Sequence, residues 1–129
     1  MTQNQILVVD DSPVILRMLS LTLKKEGYPV ATAVNGEEAL EQIRRLQPNL
    51  VFIDAMMPKK DGYEVAQEVR ADAGLERQPY IIMLTARGQE ADRERAEEVG
   101  IDEFMTKPFS PSQVAARVRA ILANADNTR

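Results

Sequence analysis

A chain of 129 residues is the size of one domain, and its 16 basic and 20 acidic side chains leave a formal charge of −4 with no basic block to neutralise a nucleic-acid backbone. Cysteine and histidine are both absent, which excludes disulfides, thiolate nucleophiles and imidazole chemistry. Chemistry in this chain must therefore run on carboxylates, lysine, hydroxyls and a hard cation bound through oxygen.

Short apolar runs alternate with longer amphipathic ones five times, the pattern of a doubly wound α/β domain with a parallel sheet. Ile6 to Val9 reads as a strand buried on both faces, and Ser12 then caps a helix with Pro13 in its first turn that runs to about Glu26 and stops at Gly27. Along this helix Val14, Ile15, Met18, Leu19, Leu21 and Leu23 cover an arc wider than one core-facing stripe. Val30 to Ala33 is the second strand. Asn35 and Glu38 resemble a capping box for a helix ended by Pro48, with Ala39, Leu40, Ile43 and Leu46 on one face. Leu50 to Ile53 is the third strand and delivers Asp54 to a loop, Ala55 to Gly62, in which Pro58 and Gly62 read as turn formers. A third helix turns Val65, Ala66 and Val69 inward. Tyr80 to Leu84 is the fourth strand, and Gln89 to Val99 a weakly periodic helix expected to be mobile or partner-facing. The fifth strand runs from about Asp102 to Thr106. Ser110 caps the last helix with Pro111 in its first turn and Gln113 at the capping-box position, and Val114, Val118, Ile121 and Leu122 face the sheet. Residues 124–129 are expected to fray.

The polar residues that close these strands carry the chemistry. Asp10 and Asp11 follow the first strand, Asp54 the third, Thr85 the fourth and Lys107 the fifth. Ligands of open α/β sheets bind beyond the carboxyl ends of the strands, where the winding reverses, and with order 2-1-3-4-5 that crevice lies between strands one and three. Three carboxylates in one pocket repel each other, and a cation with oxygen preference relieves the repulsion, Mg²⁺ fitting best because it also accepts phosphate oxygens. Asp54 offers a carboxylate nucleophile for phosphorus. Lys107 and Thr85 would hold two further phosphoryl oxygens.

Four pieces in order, Val8-Val9-Asp10-Asp11-Ser12, Ile53-Asp54-Ala55-Met56-Met57-Pro58 with Asp61-Gly62, Leu84-Thr85-Ala86 and Lys107-Pro108-Phe109, resemble the response-regulator receiver domains of the flavodoxin/CheY-like (βα)5 type, over Ile6 to about Leu122. The resemblance implies that Asp54 accepts a phosphoryl group from a phosphohistidine on a sensor histidine kinase or a histidine phosphotransfer protein. It implies that Asp11, Asp54 and the backbone carbonyl of Met56 bind Mg²⁺, with Asp10 assisting mostly through water, and that Lys107-Pro108 is a cis peptide. Thr85 and the aromatic three residues before the lysine, here Phe104, would form the switch, and Met56 and Arg87 would border the path of a hydrolytic water. Met18 and its neighbours would dock the phosphodonor. Helix four, strand five and helix five would form the output face for a partner protein or a second copy, and Asp92-Arg93-Glu94-Arg95, Arg117 and Arg119 either serve it or solvate it.

The expectation is thus a single receiver module over residues 1–129, ordered over about 5–123, that signals by phosphorylation and catalyses only its own phosphorylation and dephosphorylation. An aspartyl-phosphate phosphatase of the haloacid dehalogenase type would use the same strand-end logic, but Asp10-Asp11-Ser12 lacks its Asp-x-Asp-x-Thr pattern. A pure interaction domain would not need all five polar groups. No apolar run reaches the roughly twenty residues of a membrane span, and Met1 to Gln5 is no signal peptide, so neither a membrane nor direct nucleic-acid binding is expected and the compartment expected is the cytoplasm.

Overall fold

The computed structural model describes residues 5–86 and 93–127, the side chains of Arg93 and of 124–127 excepted. Its elements in chain order are β1 (Ile6–Val9), α1 (Pro13–Lys25), β2 (Val30–Ala33), α2 (Gly36–Leu46), β3 (Leu50–Asp54), α3 (Gly62–Ala71), β4 (Tyr80–Thr85), α4 (Arg93–Val99), β5 (Glu103–Thr106) and α5 (Pro111–Asn127). The five strands form one parallel sheet in the order β2-β1-β3-β4-β5, as expected. Among the described residues no helix is long and apolar enough to cross a membrane.

Alternation along the buried strands assigns each residue to one of two cores. Leu7, Val9, Val51, Ile53, Ile81 and Met83 point to the side covered by α2, α3 and α4, where Leu40, Ile43, Val65, Val69, Ala96 and Val99 meet them. Ile6, Val8, Leu50, Phe52, Ile82 and Leu84 point to the other side, against Leu19 and Leu23 of α1 and Val114, Val118, Ile121 and Leu122 of α5. Both faces being covered explains why the central strands read as continuous apolar runs. The wide apolar arc of α1 exceeds its core stripe, since Val14 is 75% and Leu21 58% exposed.

Local chemistry sets the helix starts. The Ser12 hydroxyl accepts from the Ile15 amide, and Asn35 Oδ1 accepts from the Glu38 amide at 2.9 Å, the half of the expected box that the structure forms. Ser110 and Gln113 exchange both bonds of a capping box. Asp61 and Glu64 do the same at the start of α3. Gly27 ends α1 at φ +94°, a left-handed conformation that glycine adopts without strain.

Three boundaries differ from expectation. β3 includes Asp54 and β4 includes Thr85, because the ladder pairs Asp54 with Leu84 and Thr85 with Thr106. Their backbones are fixed by the sheet. α5 continues to Asn127, the alanines 123 and 125 being strong helix formers. The described part of the fourth helix begins at Arg93, so Arg87, Ala91 and Asp92 lie outside the described residues.

The end of α4 is bolted to its surroundings by one side chain. Arg70 of α3 donates to the Gly100 carbonyl from Nε and Nη2, to the Pro79 carbonyl at 2.8 Å, to Gln78 and to Asp102 Oδ2 at 2.8 Å. Asp102 Oδ2 also accepts the Ile81 amide at 2.7 Å. α3, β4 and the turn into β5 are joined in a single hydrogen-bonded knot.

Candidate phosphoacceptor site

The register of the sheet brings the expected residues together. Val9 lies opposite Ile53, which puts Asp10, one step beyond β1, beside Asp54, the last residue of β3. One carboxylate oxygen each from Asp10, Asp11 and Asp54 lies within 4.8 Å of the others. Asp10 is fully buried, Asp54 8% exposed and Asp11 open to solvent. Such an oxygen-only donor set, with one member on the solvent side, fits a hard divalent cation.

Hydrogen bonds orient the acids. Asp10 Oδ1 accepts the Ser12 amide at 2.9 Å, and Asp54 Oδ1 accepts the Met56 amide at 3.2 Å. Lys107 reaches in from the end of β5, with Nζ 2.8 Å from Asp10 Oδ2 and 3.4 Å from Asp54 Oδ2. Among the described residues Lys107 is the charge that faces Asp10 Oδ2, and no other donor reaches that oxygen. The Lys107 backbone is held as well, its amide donating to the Thr85 carbonyl at 2.7 Å, and the Lys107-Pro108 peptide is cis, as the resemblance implied.

Burial pushes the Asp54 carboxyl above its ordinary range, and Asp10 adds to this against the opposing pull of the Met56 amide and Lys107. Burial disfavours the Lys107 ammonium, yet Asp10 and Asp54 outweigh it and hold its pKa above the ordinary lysine value. The pocket is thus electrically frustrated, with three acids and one base in a space that a divalent cation would balance.

Thr85 is buried at the same edge. Met56 projects from the loop with 58% exposure. Phe104 is partly buried on β5, opposite Met83, and packs against the core cluster shared by α3 and α4.

Gly62 departs from its reading as a turn former. It is the first residue of α3, its amide donates to the Ala55 carbonyl, and a Cβ there would stand 2.6 Å from the Asp54 carbonyl oxygen and 3.3 Å from Ala55 Cα. What it supplies is space, letting α3 seat directly on the backbone of Asp54. Gly62→Ala is expected to cost about 1–3 kcal/mol through overpacking. In urea the midpoint should fall with the slope unchanged; an unmoved midpoint would mean that the helix start yields freely.

A doubly wound sheet carrying an acidic triad and a lysine at its carboxyl edge, where the winding reverses, defines a ligand-binding α/β module. The chain belongs to the response regulator receiver domain family, whose description it matches over residues 6–119, and it is a receiver module of two-component signalling. It is 48% identical over 124 residues to the protein named probable transcriptional regulator ycf27 of Pyropia yezoensis, covering 96% of this chain and 49% of that one. It is 44% identical to the alkaline phosphatase synthesis transcriptional regulatory protein PhoP of Bacillus subtilis (strain 168), covering 95% of this chain and 50% of that one. The chain spans about half the length of the curated relatives it matches. Among solved structures it resembles the receiver domain of sensor histidine kinase PA1611 from Pseudomonas aeruginosa PAO1, which holds a magnesium ion in its active site cleft; the TM-score is 0.81 at 29% identity, covering 95% of this chain and 99% of that one.

Proposed function

We propose that Asp54 is the phosphoacceptor of this receiver and that a phosphohistidine on a sensor histidine kinase or a histidine phosphotransfer protein is its donor. The observation that carries this reading is the position of the Asp54 carboxylate, ending the middle strand with two other acids within 4.8 Å and Lys107 Nζ at 3.4 Å. In the transfer, an Asp54 oxygen bonds to phosphorus as the bond from phosphorus to the donor imidazole nitrogen breaks, and the freed histidine departs. Lys107 then exchanges its contacts with Asp54 for a phosphoryl oxygen. Thr85 donates its hydroxyl to another.

The residues proposed to hold Mg²⁺ are Asp11, Asp54 and the backbone carbonyl of Met56, with Asp10 assisting. When bound, the metal neutralises charge on the incoming phosphoryl group. Chemistry beyond this uptake and the later hydrolysis of the aspartyl phosphate is not assigned to the chain. Met56, exposed two residues beyond Asp54, lies where it would border the attacking water.

The proposed switch pairs Thr85 with Phe104. A phenylalanine half-buried against the α3 and α4 core can repack but cannot donate a hydrogen bond, so packing alone must carry its part. The output face proposed is α4, β5 and α5, offered to a partner protein or to a second copy. On it Arg117 forms a two-pronged ion pair with Glu103, whose Oε1 also accepts the Tyr80 hydroxyl. The donor is proposed to dock on α1, whose exposed Val14 and Leu21 flank the Met18 region. Residues 1–129 are read as one receiver module acting in the cytoplasm.

The test is intact mass after incubation with acetyl phosphate. Wild type with Mg²⁺ is expected to gain one phosphoryl group, and wild type without Mg²⁺ or Asp54→Asn with it to gain none. An adduct of equal yield on the Asp54→Asn protein would place the acceptor elsewhere.

A further inference from the structure

The segment that carries the Met56 carbonyl, residues 55–61, is seated from outside the site by a residue of another helix. Gly36 is the first residue of α2 and is buried, and a Cβ there would stand 2.5 Å from both Cβ and the carbonyl oxygen of Lys60 and 3.0 Å from its carbonyl carbon. The backbone of Lys60 therefore rests directly on the start of α2. Its amide closes a tight turn onto the Pro58 carbonyl at 2.9 Å, and the intervening Lys59 is left-handed at φ +72°. A turn of this kind transmits displacement because it has little slack.

The loop has other supports at both ends, the Ala55 amide donating to the Leu84 carbonyl and Asp61 closing the capping box with Glu64. Its inner end is tied by the Met56 amide to Asp54 Oδ1, and Met57 packs against the core. Lys60 pairs with Glu68 on half-buried side chains, while Lys59 Nζ lies 4.0 Å from Glu37 on exposed ones, where such a pair contributes little. The steric fit of Lys60 onto Gly36 differs from these in bearing on the backbone of the Pro58 to Lys60 turn itself.

We infer that Gly36 is a positioning residue for the cation, acting through Lys60 to set where the Met56 carbonyl points. The absence of a side chain at 36 lets the loop close down toward Asp54, and any side chain there lifts the turn by pushing on its backbone. Residues behind a ligand often tune metal affinity as strongly as this. The inference rests on the Mg²⁺ assignment proposed above.

Calorimetric titration of Mg²⁺ into the unphosphorylated protein tests it, with urea stability measured alongside. Gly36→Ala is expected to bind Mg²⁺ about tenfold more weakly than wild type. Lys60→Gly, which removes the Cβ that rests on Gly36, should weaken binding in the same direction, and Glu68→Gln, which removes the Lys60 ion pair but keeps that Cβ, should bind like wild type; equal losses in these two overturn the inference, and the pair decides the matter if Gly36→Ala does not fold. Ile43→Val, which loosens the core face of α2 without touching the loop, should bind like wild type. Unchanged affinity in both loop variants, or an equal loss in Ile43→Val, overturns the inference while leaving the Mg²⁺ site intact. No Mg²⁺ binding by wild type overturns the site assignment and the inference together.

Discussion

Lys107→Ala is expected to destabilise the protein by about 2–3 kcal/mol and to slow uptake of a phosphoryl group about a hundredfold. The first effect follows from Asp10, fully buried with Oδ2 facing Lys107 Nζ at 2.8 Å and, among the described residues, no other donor on that oxygen. Removing the ammonium strands a buried charge, which costs more than a surface pair returns; the lysine side chain keeps 22% of its exposure, which sets the figure below that of a fully enclosed pair. The Lys107 pKa is raised on folding, so its stabilisation is complete below the ordinary value of 10.5 and is lost as pH rises through the higher folded value. Urea unfolding of Lys107→Ala and of Asp10→Asn/Lys107→Ala checks the assignment. The double variant should recover most of the loss, because the asparagine keeps the acceptor for the Ser12 amide without the charge; equal instability of the two would show that packing, not charge, is at stake.

Asp54→Asn is expected to act in the opposite direction on stability. Its folded pKa is raised chiefly by burial, so the ionised carboxylate costs free energy at neutral pH. The sign follows: the folded protein holds a proton on Asp54 more tightly than the unfolded chain does, and wild type recovers this cost as pH falls through the raised folded pKa toward the ordinary 3.8. Asparagine removes the charge, keeps an oxygen for the Met56 amide and leaves Lys107 to Asp10. A gain of about 1 kcal/mol, or roughly 4 °C in Tm, is expected at pH 7 without divalent cations. Mg²⁺ should narrow the difference, since a ligand of the native state stabilises the protein that binds it better. Thermal unfolding at pH 7 with and without Mg²⁺ measures both; a Tm below that of wild type in the metal-free buffer would contradict the picture of a frustrated pocket.

What the amino-acid sequence made legible was whatever depends on neighbours along the chain. Ser12, Asn35 and Ser110 cap helices through amides three residues on, and the apolar runs of β1, β3 and β4 announce strands buried on both faces. The site followed, because a parallel sheet gathers the residues that end its strands. The exact strand ends did not, since Asp54 and Thr85 carry no apolar signal although the ladder includes them. Contacts made by absence were invisible too. Gly36 and Gly62 matter for the backbone that approaches them, Lys60 in one case and Asp54 in the other, and nothing in residue type reveals a neighbour many positions away. The same distance hid the preference of Lys107 for Asp10 over Asp54. α4 was faint because only Ala96 and Val99 of its described part enter the core.

The knot around Arg70 anchors the C-terminal end of α4 to α3 and to the approach to β4. Two of its bonds grip Gly100, immediately after the last turn, where the missing Cβ lets the Arg70 side chain approach the backbone closely. Arg93 stands about 9 Å from Val99 at 1.5 Å of rise per residue, so a tilt of roughly 10° about Gly100 would displace it by about 1.5 Å. Arg95 rides on the same helix, its guanidinium 4.6 Å above the Tyr63 ring and 3.5 Å from Asp61, the residue that starts α3 beside the phosphoacceptor. A tilt of α4 about Gly100 would thus be felt first at the segment leading out of the site.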